Sequence, residues 1–111
     1  MQRFFLLASR NDAEFAHLAF RVATNLARGG NDVLLDLMYE SSMLAQRQVA
    51  ETVPELLETI RIARAAGVKI IVCPTSARVH GIQQDFLLEG ITIGNPELFR
   101  TSLEDRKVIG L

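Results

Sequence analysis

One cysteine, Cys73, stands in this chain of 111 residues, and it closes an apolar run. Val68, Ile70, Ile71 and Val72 precede it, while Pro74, Thr75, Ser76, Arg78, His80 and Gly81 follow. Apolar scaffold therefore gives way to polar groups within one residue. A thiol at such a boundary can work as a nucleophile, because the reactive species is the thiolate and a reaction partner must reach it. A short helical turn beginning just after the cysteine, together with the nearby Arg78 and His80, would favour that thiolate. The competing reading is an inert core thiol, since free cysteine often behaves as a small buried hydrophobe.

Other chemistries lack their residues. No GxGxxG follows the first apolar run, and no GxxxxGK[ST] occurs, so the common phosphate-cradling loops are missing. No serine lies in GxSxG, and two histidines, His17 and His80, give no metal spacing. No cofactor or metal is expected. The default for His17 is a solvated helix residue. Asp36, which interrupts a second apolar run, and Glu40 are read as acids solvated on the surface or in a loop.

The elements that must carry Cys73 follow from periodicity. The β-branched run Val68 to Val72 suits a strand buried on both faces, and we expect it at the centre of the sheet. In parallel α/β sheets the carboxyl ends of the strands open onto the ligand crevice, which puts Cys73 at the rim. Arg3 to Ala8 reads as the first strand. Asn11 with Glu14 has the spacing of a helix-starting capping pair. Phe15, Leu18, Ala19, Val22, Ala23, Leu26 and Ala27 then mark one helical face, and Gly29-Gly30 ends it. Asp32 to Leu37 is the second strand.

Residues 43 to 52 read as a loop with a helical turn. Thr52, Pro54 and Glu55 start a helix that runs to Ala66, with Val53, Leu56, Leu57, Ile60 and Ala63 inward and Ile62 off the stripe. After the Cys73 strand, Thr75 or Ser76 caps a short turn over Ala77 to His80, ended by Gly81. Ile91 to Ile93 is a short strand, and Asn95-Pro96-Glu97 opens a helix ending near Glu104. Val108 to Leu111 is the last strand. Strands alternating with helices imply parallel crossovers, and so a three-layer α/β/α sandwich on a mostly parallel five-stranded sheet. Residues 1–111 are expected to form a single domain.

Composition bounds the partners. Net charge is −1 and the basic residues are scattered, which favours neither nucleic acid nor an anionic membrane. One cysteine excludes an internal disulfide. Phe4 to Ala8 is shorter than a secretory core, and Arg10 and Asp12 close it, so a reducing, cytoplasmic setting is expected. Hydrophobic residues make up 49% of the chain, a large share for a small monomer to cover.

Cys73 to Gly81, then Gly90-Ile91-Thr92-Ile93-Gly94 and the stretch from Asp105 to Leu111, resemble the DsrE/DsrF-like sulfur-relay family. The shared pattern is an apolar strand ending in Cys, Arg-Gly seven to eight residues on, a short Gly-bounded strand, a helix and a final short strand. That resemblance implies a cysteine that accepts sulfane sulfur as a persulfide, with donor and acceptor proteins as partners. Thr75, Ser76, Arg78, His80, Gly81 and Asn11 are then the candidate substrate contacts. Where some relatives have CxxC this chain has Ser76, so the expectation is a single-thiol carrier. His80 stands in place of the family's Arg and can serve as a hydrogen-bond donor. The resemblance also implies a strand order 4-3-2-1-5, which leaves one sheet face to the last helix alone. A homotrimer or homohexamer is the expected way to cover it. The alternative is an oligomeric binding or scaffold protein of the same fold without sulfur chemistry.

Overall fold

The computed structural model describes all 111 residues. Five strands, β1 (Arg3–Ala8), β2 (Asp32–Leu37), β3 (Lys69–Val72), β4 (Thr92–Ile93) and β5 (Lys107–Gly110), make one sheet in the order β4-β3-β2-β1-β5. Every neighbouring pair is parallel. The central strand is β2, not the strand that ends at Cys73. An apolar run on both faces reports burial, which β2 and β3 share, and carries no information about rank in the sheet.

Helices α1 (Ala13–Arg28), α2 (Arg47–Ala50), α3 (Pro54–Ala65), α4 (Pro74–Val79) and α5 (Pro96–Asp105) complete the chain. A 3-10 segment, Tyr39–Ala45, leads from β2 towards α2. Strand alternation sends Phe4, Leu6, Ala8, Val33, Leu35, Leu37, Ile70 and Val72 into the main core, which also holds the inward residues of α1 and α3. The opposite set, Phe5, Leu34 and Ile71, packs with Leu98 and Phe99 of α5. This is the expected three-layer sandwich, with its layers unequal in size. Full burial of a side chain such as Phe5 contributes roughly 1.5–3 kcal/mol, so truncating one would remove much of the smaller layer's cohesion.

Local starts differ from expectation at three helices. Asp12, not Asn11, caps α1: its Oδ2 accepts from the Phe15 N–H at 3.2 Å, and Oδ1 accepts from Arg10 Nε at 2.8 Å. The hydrogen bond from Arg10, with that from Phe15, holds the Asp12 carboxyl below the usual carboxylate range. The buried stripe of α1 runs through Ala16 and Phe20 beside Phe15, Ala19 and Ala23, and Leu18 is left exposed. Thr24 is also buried, its hydroxyl donating to the Phe20 carbonyl at 2.7 Å.

At α3 the pairing of Thr52 with Glu55 does not form. Thr52 donates to the Val49 carbonyl, Val53 is the cap residue and is exposed, and Pro54 starts the helix. At α4 the cap is Cys73 itself, so neither Thr75 nor Ser76 takes that role. The last helix behaves as expected: Asn95 Oδ1 accepts from the Leu98 N–H at 2.8 Å.

The amino edge of the sheet is tied by Arg106. Its guanidinium donates to Asp32 Oδ1 at 3.1 Å and to the Phe4 carbonyl at 3.1 Å. Burial pushes the Asp32 carboxyl up, but the Arg106 hydrogen bond and charge outweigh it and leave the net shift downward. No helix is long and apolar enough to cross a membrane.

Candidate functional site

Cys73 is placed by the residues on either side of it. Its N–H donates to the Leu37 carbonyl at 3.0 Å, which continues the β2–β3 ladder by one step beyond Val72. Pro74 then forbids the helical conformation to the residue before it, and Cys73 has the extended values φ −59° and ψ 127°. Proline is also suited to the first position of α4, since it has no N–H to leave unpaired. From the other side, the Gly94 N–H donates to the Val72 carbonyl at 2.9 Å. A β-carbon on Gly94 would come to 3.2 Å from Ile71 Cδ1, a tight contact to which the Ile71 side chain would have to yield by a few tenths of an ångström.

A second wall comes from the loop after β2. Tyr39 is the one non-glycine residue with positive φ, at 51°, and it begins the 3-10 segment. Its N–H donates to Ser76 Oγ at 2.8 Å, so the loop is bound to α4. Below it the Ser41 hydroxyl lies within hydrogen-bond distance of the Ala8 and Met38 carbonyls, and Ser41 and Ser42 are fully buried. The third wall is the start of α5, where Phe99 packs edge-on to Phe5 with ring centroids 5.6 Å apart.

Between these walls lies an open cleft of about 320 Å³, lined by Met38, Tyr39, Cys73, Pro74, Thr75, Ser76, Pro96 and Phe99. Cys73 is half-buried, neither sealed in the core nor free on the surface. Three larger clefts hold no cysteine: one of about 490 Å³ lies at the amino edge beside Arg64, Lys69 and Arg106, another of about 490 Å³ beside Arg47, Arg61 and Glu89, and a third of about 360 Å³ beside His17, Arg21 and Arg28.

Of the residues singled out in the sequence, Thr75 and Ser76 share the cleft with Cys73. Arg78, His80 and Gly81 are exposed at the far end of α4, where His80 is the cap residue and Gly81 turns the chain with φ 68°. Asn11 lines a different, smaller cleft with Met43, Leu44 and Val49. The cation and the histidine near Cys73 in sequence thus lie outside the lining of the cleft that holds Cys73. His17 is half-buried, with Nδ1 3.0 Å from the Thr59 hydroxyl, and takes no part in the cleft.

Asp36 also departs from its expected role. Only 1% of it is exposed, and its Oδ1 is buried without a hydrogen-bond partner. Burial pushes its carboxyl up to about 7. Its neighbours across the sheet are Leu7 on β1 and Ile71 on β3, and neither offers a donor from its side chain. The sequence did carry a sign of this, an acid in the middle of a strand that is apolar on both sides. Met38, Tyr39, Pro96 and Phe99 had no such sign, because the fold alone brings the ends of β2 and β3 to the start of α5.

The molecule is a parallel five-stranded α/β sandwich with its single cysteine half-buried at the carboxyl edge of the sheet. The chain belongs to the DsrE/DsrF-like family, whose family model matches residues 1–110. Among solved structures it is similar to protein MTH1491 from Methanobacterium thermoautotrophicum, of unknown function, with TM-score 0.83 and 17% identity over all of both chains. It is also similar to the ychN protein from E. coli, with TM-score 0.76 and 22% identity over all of both chains. A third likeness is to BT1422 from Bacteroides thetaiotaomicron, with TM-score 0.70 and 16% identity over 99% of this chain and 95% of that one. At these identities the likeness is one of fold. No curated protein matches the chain.

Proposed function

We propose that this protein is a cytoplasmic sulfur carrier in which Cys73 accepts sulfane sulfur as a persulfide from one protein and hands it to another. The observation that carries the reading is the half-buried Cys73 lining the 320 Å³ cleft at the rim of the sheet. Membership of a family whose members generally serve sulfur relay supports it.

In the loading step the Cys73 thiolate attacks the outer sulfur of the donor's persulfide. A sulfur–sulfur bond forms on Cys73 as the donor's own sulfur–sulfur bond breaks, and the donor cysteine leaves with the bonding electron pair. The proton lost by Cys73 is balanced by the one the leaving thiolate takes up, so no external oxidant or reductant is consumed. Transfer onward repeats the exchange with the acceptor's thiolate attacking the outer sulfur. The CxxC position is Ser76, and its hydroxyl is engaged with Tyr39, so nothing within the chain expels the sulfur as sulfide. Thr75, at the exposed lip of the cleft, and the Ser76 hydroxyl are the polar groups nearest in chain to an incoming sulfur. Arg78, His80 and Gly81 at the far end of α4 suit contacts to the partner protein's surface.

Incubation with a persulfide donor such as a loaded rhodanese should add the mass of one sulfur atom to the intact chain. Cys73→Ser should gain none. A wild-type chain that stays unmodified while a known carrier in the same tube is loaded would sink the proposal.

A further inference from the structure

The groove between α1 and α3, in the layer opposite α5, collects cations that the fold does not pair. His17, Arg21, Thr24, Asn25 and Arg28 follow the three- and four-residue spacing of one face of α1. With Thr59 and Ile62 of α3 they line a cleft of about 360 Å³ that shares no residue with the Cys73 cleft. Neither Arg21 nor Arg28 enters a salt bridge; those of the molecule belong to Arg3, Arg10, Arg100 and Arg106. The acids of the two helices, Glu14, Glu55 and Glu58, are exposed and lie outside the lining.

Hydrogen bonding fixes what else the cleft offers. The Thr24 hydroxyl donates to the Phe20 carbonyl at 2.7 Å and that of Thr59 to the Glu55 carbonyl at 2.9 Å, so each has used its hydrogen within its own helix. Thr59 Oγ1, 3.0 Å from His17 Nδ1, is therefore the acceptor of that pair, and His17 carries its proton on Nδ1. This leaves Nε2 of the neutral ring as a free acceptor. Asn25, exposed on the same wall, adds an amide with N–H donors.

A solvated helix face accounts for Arg28, which the dipole favours in the last turn of α1. It does not account for Arg21. The usual neighbour of a helical cation is an acid three or four residues away, but the residues at those distances are His17, Leu18, Thr24 and Asn25. Arg21 and Arg28 stand two turns apart, about 10.5 Å along the axis, so two long side chains reach one anion seated over Asn25 between them.

We propose that this cleft binds a small phosphorylated molecule. Arg21 and Arg28 clamp the phosphate from two sides, Asn25 donates to it, and His17 Nε2 accepts from a hydroxyl on the body of the ligand. Phosphate suits the set because it carries close to two charges near neutrality and presents acceptor oxygens to planar guanidinium forks on more than one side. The cleft has the volume of small-molecule sites, more than a bare phosphate fills, and the acceptor on His17 calls for a donor that a phosphate dianion lacks. The site is independent of the sulfur-carrier reading.

The test is an NMR titration of the intact protein at fixed ionic strength with ribose 5-phosphate and, separately, with inorganic phosphate. Ribose 5-phosphate should give saturable shifts centred on residues 17–28 and 59–62 and should bind more tightly than inorganic phosphate. Arg21→Gln and Arg28→Gln should each weaken it by roughly tenfold, the loss of one charge-assisted contact. Glutamine is close to arginine as a helix former, so the fold is kept. His17→Phe should weaken ribose 5-phosphate by about fivefold and leave inorganic phosphate unchanged. Arg61→Gln is the control: Arg61 is an exposed arginine of α3 that lines a different cleft, and its variant should bind as the wild type does. Shifts that never saturate, an equal loss in Arg61→Gln, or equal affinity for the two probes would overturn the proposal. So would saturable binding of hexaglutamate through Arg21 and Arg28 with none of ribose 5-phosphate, which would assign the groove to an acidic protein partner.

Discussion

The backbone N–H of Tyr39 donates to the Ser76 hydroxyl at 2.8 Å, and through that one bond the loop leaving β2 is held against the helix leaving β3. Ser76 is buried and Tyr39 holds a positive φ, so the bond fixes a strained residue at the lip of the cleft. Ser76→Ala would leave the Tyr39 N–H unpaired at a partly buried position. The expected loss is about 1–2 kcal/mol, read as a lower urea midpoint with an unchanged slope. Cys73 should also be alkylated faster, because the wall facing it is released. An unaltered midpoint would show that water replaces the hydroxyl without cost.

Asp36 should make the protein less stable as pH rises through neutrality. Its folded value of about 7 lies above the unfolded value of 3.8, so between these limits the unfolded chain has given up a proton that the folded chain keeps. Stability from this group is fully present below about 4, falls as pH rises, and levels off above about 7, a total on the order of several kcal/mol. Denaturation of Asp36→Asn across the same range should lack that slope. Asp32 acts in the other direction and in another window: its value is lowered in the folded state, so its contribution is lost only as pH falls below the ordinary aspartate range. Parallel curves for wild type and Asp36→Asn between pH 4 and 7 would show that the carboxyl is solvated in solution.

Arg106 joins three segments through one guanidinium, with side-chain exposure of 7%. It reaches the carboxylate and carbonyl of Asp32 on β2 and the Phe4 carbonyl on β1 from the end of α5. Arg106→Met should cost about 3 kcal/mol, because the Asp32 carboxylate and two carbonyls lose their donor together. Arg106→Lys should recover only part of it, since an ammonium cannot span the same acceptors as a planar fork. Equal stability of the lysine variant would mean that charge alone, and not the geometry of the fork, holds the amino edge.

Self-association is predicted from the thin layer. On the α5 face, Val108 of β5 lies opposite Phe5 and is 41% exposed, and Leu103 of α5 is 43% exposed. Light scattering at micromolar concentration should therefore give the mass of a trimer or a hexamer, and Val108→Asp should lower it. A wild-type monomer mass would rule the assembly out.

Much of the architecture was legible in the sequence because strands and helices declare themselves through period and punctuation. β1 and β2 have their expected limits, Asn95-Pro96 opens α5, and Gly81 ends the turn after α4. The single thiol was legible too, as the end of an apolar run. Helix starts were less so. Asn11 and Asp12 are adjacent and both able to cap, and the choice fell to Asp12 because Arg10 could reach it. At α4 the proline set the start two to three residues earlier than the hydroxyls of Thr75 and Ser76 suggested.

The sequence by itself determined that the chain is an alternating α/β protein with one candidate nucleophile, since those are local matters of spacing and residue type. Tertiary structure decided what surrounds that nucleophile. Strand order made β2 central, and a register that pairs Asp36 with Leu7 and Ile71 buried a carboxyl between apolar neighbours. It also brought Tyr39 and Phe99 to the cleft while carrying Arg78 and His80 out of it. The physical reason is that proximity along the chain fixes only the reach of a side chain, whereas direction and solvation come from packing against elements distant in sequence.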